Sequence, residues 1–378
     1  MTSDNRSYLD TLEPIAVGLV APSASRIDTT GEYPRAALNA LGKAGLMGLV
    51  SSADVGGLGL GQRAASMVVE RLARECASTA MVVCMHYAAA AVIEAHGPRE
   101  VRQAIAAGQH VSTLAFSEAG SRSHFWAPLS TAAPVSGNGH VKLDAKKSWI
   151  TSAGEADSYV WSSRPMAAEG ASTIWLVPAK AAGLRIVAPY HGLGLRGNAS
   201  SPVAAEGVMV EQAAMLGADG KGFDIMLGVV LPYFQLMNAA GSIGLMQAAT
   251  SKSAAHVGKT SLEHLGNSLA DLPTIRAYIA RMQVKTDMAR ALLLDTCDAL
   301  ESGRADAMLR VLEVKAAAGE AATEVTDLAM RVCGGAAFRQ EVGVERNFRD
   351  ARAATVMAPT TDVLYDFIGK AVCGLPLF

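Results

Sequence analysis

The feature that most constrains this chain is a change of hydrophobic period near residue 110 and a change back near residue 220. Upstream, AALNALGKAGL (36–46) carries apolar residues at helical spacing. After the glycine-rich VGGLGLG (55–61), AASMVVERLARECASTAMVVCMHYAAAAVIEAHG (64–97) reads as two helices broken around 77–79, and a short helix over 99–107 follows. Then VSTLAF, VKLDA, SYVWSS, STIWLVPA and LRIVAP appear as short β-branched or aromatic runs, separated by Gly, Pro, Asn and Ser clusters such as VSGNGH. Beyond residue 222 the pattern is helical again over 225–256, 272–301 and 305–333, with LGNSLADLP (265–273) as a loop and a last helix after Pro359. Each element must bury its apolar face against a neighbour, so the order predicts an α+β chain in three parts. These are a helical domain (1–111), a β domain (112–220) and a helical bundle (221–378), packed as one unit, since no repeat or low-complexity linker intervenes.

Composition narrows the function classes. With 378 residues the chain is long enough for several layers with real cores. Half of it is apolar, yet charged and polar residues interrupt every window of about eighteen, so no membrane span is expected. A net charge of -2 offers no basic face for nucleic acid. The five cysteines (Cys76, Cys84, Cys297, Cys333, Cys373) lack CxxC spacing and a partnering His cluster, which predicts reduced thiols and no metal site. MTSDNRSYLDTLEP has no apolar export core, so a cytoplasmic location is expected.

Four stretches carry the chemistry: LAFSEAGSRSHFWAP (114–128), KKSWITSAGEADSYVW (146–161), YHGLGLRGNASSP (190–202) and RVCGGAAFRQEVGVERNFRDARAATVMAPTTDVL (331–364). Trp149 offers a flat apolar face beside Ile150, with Thr151 and Ser152 able to hydrogen-bond a heteroaromatic ring; the alternative is a core aromatic next to a turn. Ser117 and Ser121 flank a glycine turn whose N–H groups suit a pyrimidine or a phosphate. Gly334 and Gly335 permit close approach of an adenine nucleotide, or simply end a helix.

In this order and spacing, the strings resemble the acyl-CoA dehydrogenase superfamily over essentially the whole chain. The resemblance implies an N-terminal helical domain, a central β-barrel-like domain and a C-terminal four-helix bundle, assembled as a homodimer or homotetramer. It implies FAD held by Ser117, Ser121, Trp149, Ile150, Thr151, Gly334, Gly335 and Thr360. It also implies an acyl thioester or related carbonyl substrate bound near His86, Tyr87, Phe234 and Gln235, and an electron acceptor or flavin reductase as partner.

The departures cluster at function. Aligned from Arg349-Asp350, the family's catalytic Glu is Ala358 and the next Gly is Pro359, while Thr360 and Asp362 match. Aligned through GSIGLMQA (241–248), the alternative Glu position is Phe234, and the neighbouring Arg is Gln235. The string that reaches the adenosine half of FAD in a neighbouring subunit falls at KTSLEHLG (259–266), where Lys259 supplies a substitute charge. The Gln before the Gly pair is Arg331, and the SEAGS loop ends in Arg122. FMN, reduced flavin from a partner, or no flavin therefore stand beside FAD. Losing the base costs α-proton removal about 10²–10⁴-fold.

The expectation is thus a flavoprotein that does not perform ordinary Glu-driven α,β-desaturation. Alternatives are a monooxygenase using reduced flavin and O₂, and a flavin-free or non-catalytic ligand binder. Candidate catalytic groups are His86, Tyr233 and Asp362; each has a bland counterpart, a core histidine, a packed phenol and a helix cap. Arg122 and Arg196 are cations for the leaving anion of a desulfinase-type elimination. His124 and Trp126 either face the flavin or pack the β domain. Glu118 reads as structural, and ERNFRD (345–350) as an interhelical ion-pair network.

Overall fold

The computed structural model describes residues 7–121, 124–137, 139–263 and 266–377. Helix α1 (Ser7–Ile15) runs through a π-helical turn into α2 (Ala21–Thr30), and α3 (Arg35–Lys43), α4 (Gln62–Ala73), α5 (Ala77–His96) and α6 (Arg99–Ala106) complete the first helical part. Gly31 ends α2 with a left-handed φ of 72°, a conformation that costs a side chain but not glycine.

The β part holds two four-stranded sheets. One is ordered β1 (Ser112–Ala115), β4 (Ser158–Ser163), β5 (Thr173–Pro178), β8 (Met215–Leu216), with β1 and β4 parallel. The other is ordered β2 (Thr131–Val135), β3 (His140–Ile150), β7 (Ser201–Glu211), β6 (Leu184–Ile186). The β2 and β7 strands were not foreseen. SPVAAEGVMVE is rich in Ala and Gly, residues of low strand propensity, and it becomes a central strand only by pairing on both edges.

The C-terminal part starts with α7 (Gly222–Ile225), a π-helical turn and α8 (Leu231–Lys259). After the β9–β10 ladder (Ser261–Leu262 with Asn267–Ser268) come α9 (Pro273–Ser302), α10 (Ala307–Cys333), α11 (Val344–Val356) and α12 (Thr361–Val372). Helix α8 packs against α10, α4, α9 and α5, so it is buried on several sides and has no polar face to show in its periodicity. Residues 77–96 and 222–259 are long and apolar enough by composition to cross a membrane, but most of each apolar window is buried inside the fold. Their hydropathy reflects their central position in the core.

Candidate active site

Between the β part and the C-terminal helices lies a cavity of about 680 Å³. Its β-side wall is built on strained backbone. A bulge in β3 between Lys147 and Ile150 breaks the pairing with β7. Trp149 sits there at φ 57° and Ser152 at φ 60°; across from them, Leu195 and Ala199 have φ 52° and 50°. Among the described residues these are all the non-glycine residues with left-handed backbone, and they fall in two facing segments. The segments hold each other: Ser152 N–H donates to Asn198 O at 2.9 Å and Ala153 N–H to Ala199 O at 3.1 Å. Such residues cost about 1–3 kcal/mol each and persist where the surroundings over-determine them. The result is an indole that is 69% exposed on the cavity wall.

The SEAGS loop joins this wall through a buried ion pair. Lys147 Nζ donates to Glu118 Oε1 at 2.6 Å and to Ser162 O at 2.7 Å, and lies 5.0 Å from the Trp161 ring centroid. Glu118 also accepts the N–H groups of Leu129 and Ser130 and the Ser130 hydroxyl. Burial pushes the Glu118 carboxyl up, but Lys147 and these donors outweigh it and the net direction is down. Burial lowers Lys147 to about 8. Glu118 is fully engaged as a fastener of the loop.

The helical wall is different in kind. Met81 and Met85 from α5, Val230, Leu231 and Phe234 around the start of α8, and Met357 after α11 supply apolar surface. The turn Ala358–Pro359–Thr360 closes the wall, and Thr360 caps α12 by accepting the Val363 N–H. Behind the turn, the fully buried Lys315 of α10 donates to Ala354 O at 3.0 Å, Met357 O at 3.1 Å and Pro359 O at 2.8 Å. Burial drops its ammonium to about 7. Lys315 escaped the sequence reading, yet the signal was there. Val311, Lys315, Ala318 and Ala322 form one apolar stripe, and a lysine inside such a stripe is a buried lysine.

The ionisable groups on the described wall are few: Glu118, Tyr190, Arg349 and Arg352. The Tyr190 hydroxyl donates to Gly194 O at 2.9 Å. Arg349 is paired with Asp28 and Glu345, and Arg352 lies over the Phe348 ring at 4.6 Å. None is a free proton acceptor.

The sequence candidates separate accordingly. Ser117, Ser121, Trp149, Ile150, Thr151, Phe234 and Thr360 come together around this one cavity. His86 and Tyr87 do not. His86 is wholly buried: Nε2 is 3.0 Å from Met47 O, and Nδ1 accepts the Ser112 N–H at 3.2 Å. Burial lowers it to about 4, so it is a neutral clamp rather than a catalytic base. The Tyr87 hydroxyl donates to Leu46 O at 2.6 Å. The cavity face of α5 carries Met81 and Met85 instead, one turn apart, and His86 points about 100° away from Met85.

Tyr233 is similarly displaced around α8 and is half-buried off the cavity, with burial raising its phenol. Gln235 is fully buried in α8 and is not among the residues lining the cavity. Asp362 is exposed on the first turn of α12, in a separate shallow groove with His124, Trp126, Asp366 and Lys370, where Trp126 packs on Phe367. Gly334 and Gly335 are exposed at the end of α10, away from the cavity, with open space where a Cβ would stand. Arg196 Nε donates to Gly192 O within its own loop. Arg331 lies on Tyr278, and Arg122 is outside the described residues.

This arrangement defines a three-part α–β–α protein with a ligand cavity at the meeting of its β and C-terminal parts. Models of the acyl-CoA dehydrogenase N-terminal, middle and C-terminal domains match residues 2–108, 113–208 and 220–373. The chain is 26% identical over 375 residues to a probable acyl-CoA dehydrogenase of Bacillus subtilis, covering 96% of each. It is 29% identical over 350 residues to the bovine mitochondrial short-chain specific acyl-CoA dehydrogenase, covering 90% of this chain and 83% of that protein. The solved butyryl-CoA dehydrogenase of Megasphaera elsdenii superposes with a TM-score of 0.91 at 21% identity over 99% of both chains. The chain belongs to the acyl-CoA dehydrogenase superfamily, a family of flavoprotein oxidoreductases acting on acyl-CoA.

The β-side wall fits the ring half of a flavin. The exposed faces of Trp149, Leu193 and Val356 at the cavity mouth are apolar surface that a flat ring would cover. Trp149 and Ile150 would pack that ring, and Ser117, Ser121, Thr151 and Thr360 would hydrogen-bond its polar edge. A bound flavin supplies a two-electron acceptor or donor; everything else must come from this chain.

Proposed function

We infer that the chain binds a flavin and an acyl thioester or related carbonyl compound, and that its reaction does not begin with removal of the α-proton by a protein carboxylate. One observation carries the reading: Ala358 and Phe234 line the same cavity as Trp149 and Thr151, on the wall across from them, with no uncommitted carboxylate or imidazole among the described residues there. The protein's own work is to seat the flat ring, exclude water with the Met81, Met85 and Phe234 surface, and hold the turn at 357–360 rigid from Lys315. A desulfinase-type reaction of a sulfinate-bearing acyl thioester fits this work: the C–S bond breaks with its electron pair left on carbon, sulfur departs as SO₂, and the carbon takes its proton from solvent, so no protein carboxylate first removes the α-proton.

A flavin-dependent monooxygenase is the second reading. It is favoured by the apolar lining that Phe116, Phe125 and Phe234 contribute, which keeps water from a reactive oxidant. An electron acceptor or a flavin reductase belongs to one or other reading. Assembly into a dimer or tetramer is supported by Val284, Met288 and Leu294, which leave α9 with exposed apolar surface.

The test begins with cofactor identity and stoichiometry in freshly purified protein, read from the absorbance band near 450 nm. Saturated acyl-CoA added anaerobically should leave that band unbleached, and Ala358→Glu should make it bleach. Bleaching of the unmodified protein at a rate matching the variant would overturn the reading.

A further inference from the structure

Gln235 is fully buried, and neither its amide oxygen nor its amide nitrogen has a hydrogen-bond partner among the described residues. Three residues on, the amide oxygen of Asn238 is also buried and unpaired, while its Nδ2 reaches the thioether sulfur of Met357 at 3.4 Å. An orphaned buried polar group is destabilising, and protein interiors seldom keep one without a partner. Here two amides stand together in the first part of α8, where the other buried residues from 231 to 240 are all apolar.

Their position is informative. Leu231 and Phe234 face the cavity from the start of α8. At about 100° per residue, Asn238 returns to the angular sector between them, about 6 Å further into the bundle, and Gln235 stands one turn beyond Leu231. Met357, the residue that Asn238 touches, is itself on the cavity wall. The amides therefore lie directly behind the part of the wall made by Phe234 and Met357. The thioether is a weak acceptor on a flexible side chain, so a better acceptor displaces it readily.

We propose that Gln235 and Asn238 form a specificity subsite for a neutral hydrogen-bonding group, a hydroxyl or a carboxamide, carried at the deep end of the acyl chain. The proposal rests on the reading that the cavity takes acyl thioesters. The unpaired atoms include two acceptors and one donor, so the incoming group must both donate and accept. A carboxylate would meet two carbonyl oxygens, and an ammonium would lose its hydration without a counter-charge. A hydroxyl satisfies both demands, and a purely alkyl chain satisfies neither.

The experiment measures binding of heptanoyl-CoA, ω-hydroxyhexanoyl-CoA and adipoyl-CoA by calorimetry, on purified protein whose flavin content is recorded. The hydroxylated chain has the same heavy-atom count as heptanoyl and should bind about tenfold more tightly, with adipoyl the weakest. Gln235→Met keeps the side-chain length, removes the orphaned amide and should abolish the preference while leaving the melting temperature unchanged or higher. Equal affinities in the unmodified protein overturn the subsite and leave the acyl thioester reading standing. A preference that survives in Gln235→Met also overturns it, as does a variant that only gains stability, since the amides then hold water alone. No binding of any of the three overturns the acyl thioester reading and the subsite with it. The ligand panel on the unmodified protein decides the question even if the variant fails to fold.

Discussion

The two walls of the cavity are made on opposite principles. The β-side wall stores strain: left-handed backbone at Trp149, Ser152, Leu195 and Ala199, an outward indole, and a buried ion pair to hold the loop. The helical wall stores none of this and offers methionine, phenylalanine and an alanine turn. Strain that packing alone would not select marks a surface shaped for a particular ligand. On the reading proposed above, the helical wall, which carries no left-handed non-glycine backbone among the described residues, contains the substrate rather than attacking it. On the same reading, recognition of the flat ring and choice of reaction are built into separate pieces of chain.

The comparison breaks most severely if the fastener of the β-side wall is cut. Glu118→Ala leaves Lys147 as an uncompensated buried charge and frees the N–H groups of Leu129 and Ser130. Truncating one partner of such a pair costs about 3–5 kcal/mol, to be read as the loss in chemical denaturation. A loss under about 1 kcal/mol would mean that the strained wall supports itself.

A second test addresses the joint between the walls, where His86 of α5 ties Met47 O to the N–H of Ser112 in β1. Its folded pKa of about 4 lies below the ordinary imidazole value of 6.5, so the unfolded chain binds more protons between those values. His86 therefore contributes stability that is fully present above pH 6.5 and is lost as pH falls through 4. The loss is about 3 kcal/mol across that window, and it should flatten in His86→Gln when melting is followed against pH. An unchanged acid limb in the variant would assign the pH sensitivity to other groups.

The smallest expected effect on stability is the most diagnostic. Trp149 is 69% exposed at φ 57°, so Trp149→Gly removes little packing and relieves backbone strain. Stability should stay within about 1 kcal/mol of the parent, while bound flavin falls by at least about tenfold, one hydrogen-bond or stacking contact's worth. A variant that keeps its flavin would show the indole to be incidental.

Much of the β-side wall was legible because its chemistry is local. KSWITS and SEAGS place an indole, hydroxyls and a glycine turn within a few residues, and Ser117, Trp149 and Thr151 do share one surface. The left-handed backbone that aims the indole was not legible, since non-glycine residues there carry no residue-type signal. The helical wall was harder for a physical reason. CMHYAAAA is apolar all round, so nothing in α5 tells which side meets the cavity, and the polar residues His86 and Tyr87 drew attention from Met81 and Met85. Likewise α8, buried on several sides, has no amphipathic face from which to infer that Tyr233 turns away and Phe234 turns in. The grouping of Asp362 with Thr360 failed at a helix start, where successive residues point in different directions.

Lys315 gives position 358 an unusual independence. Three carbonyls of the surrounding turn are gripped from the side opposite the cavity, and Thr360 anchors the next helix without help from the alanine side chain. Nothing in that grip depends on what projects from residue 358. The turn is a socket with its own foundation, into which a carboxylate, an imidazole or a thiol can be substituted and presented to the same volume. Such interchangeability lets one scaffold be moved between reaction types by a single codon, and makes this site a suitable place to graft new catalytic groups.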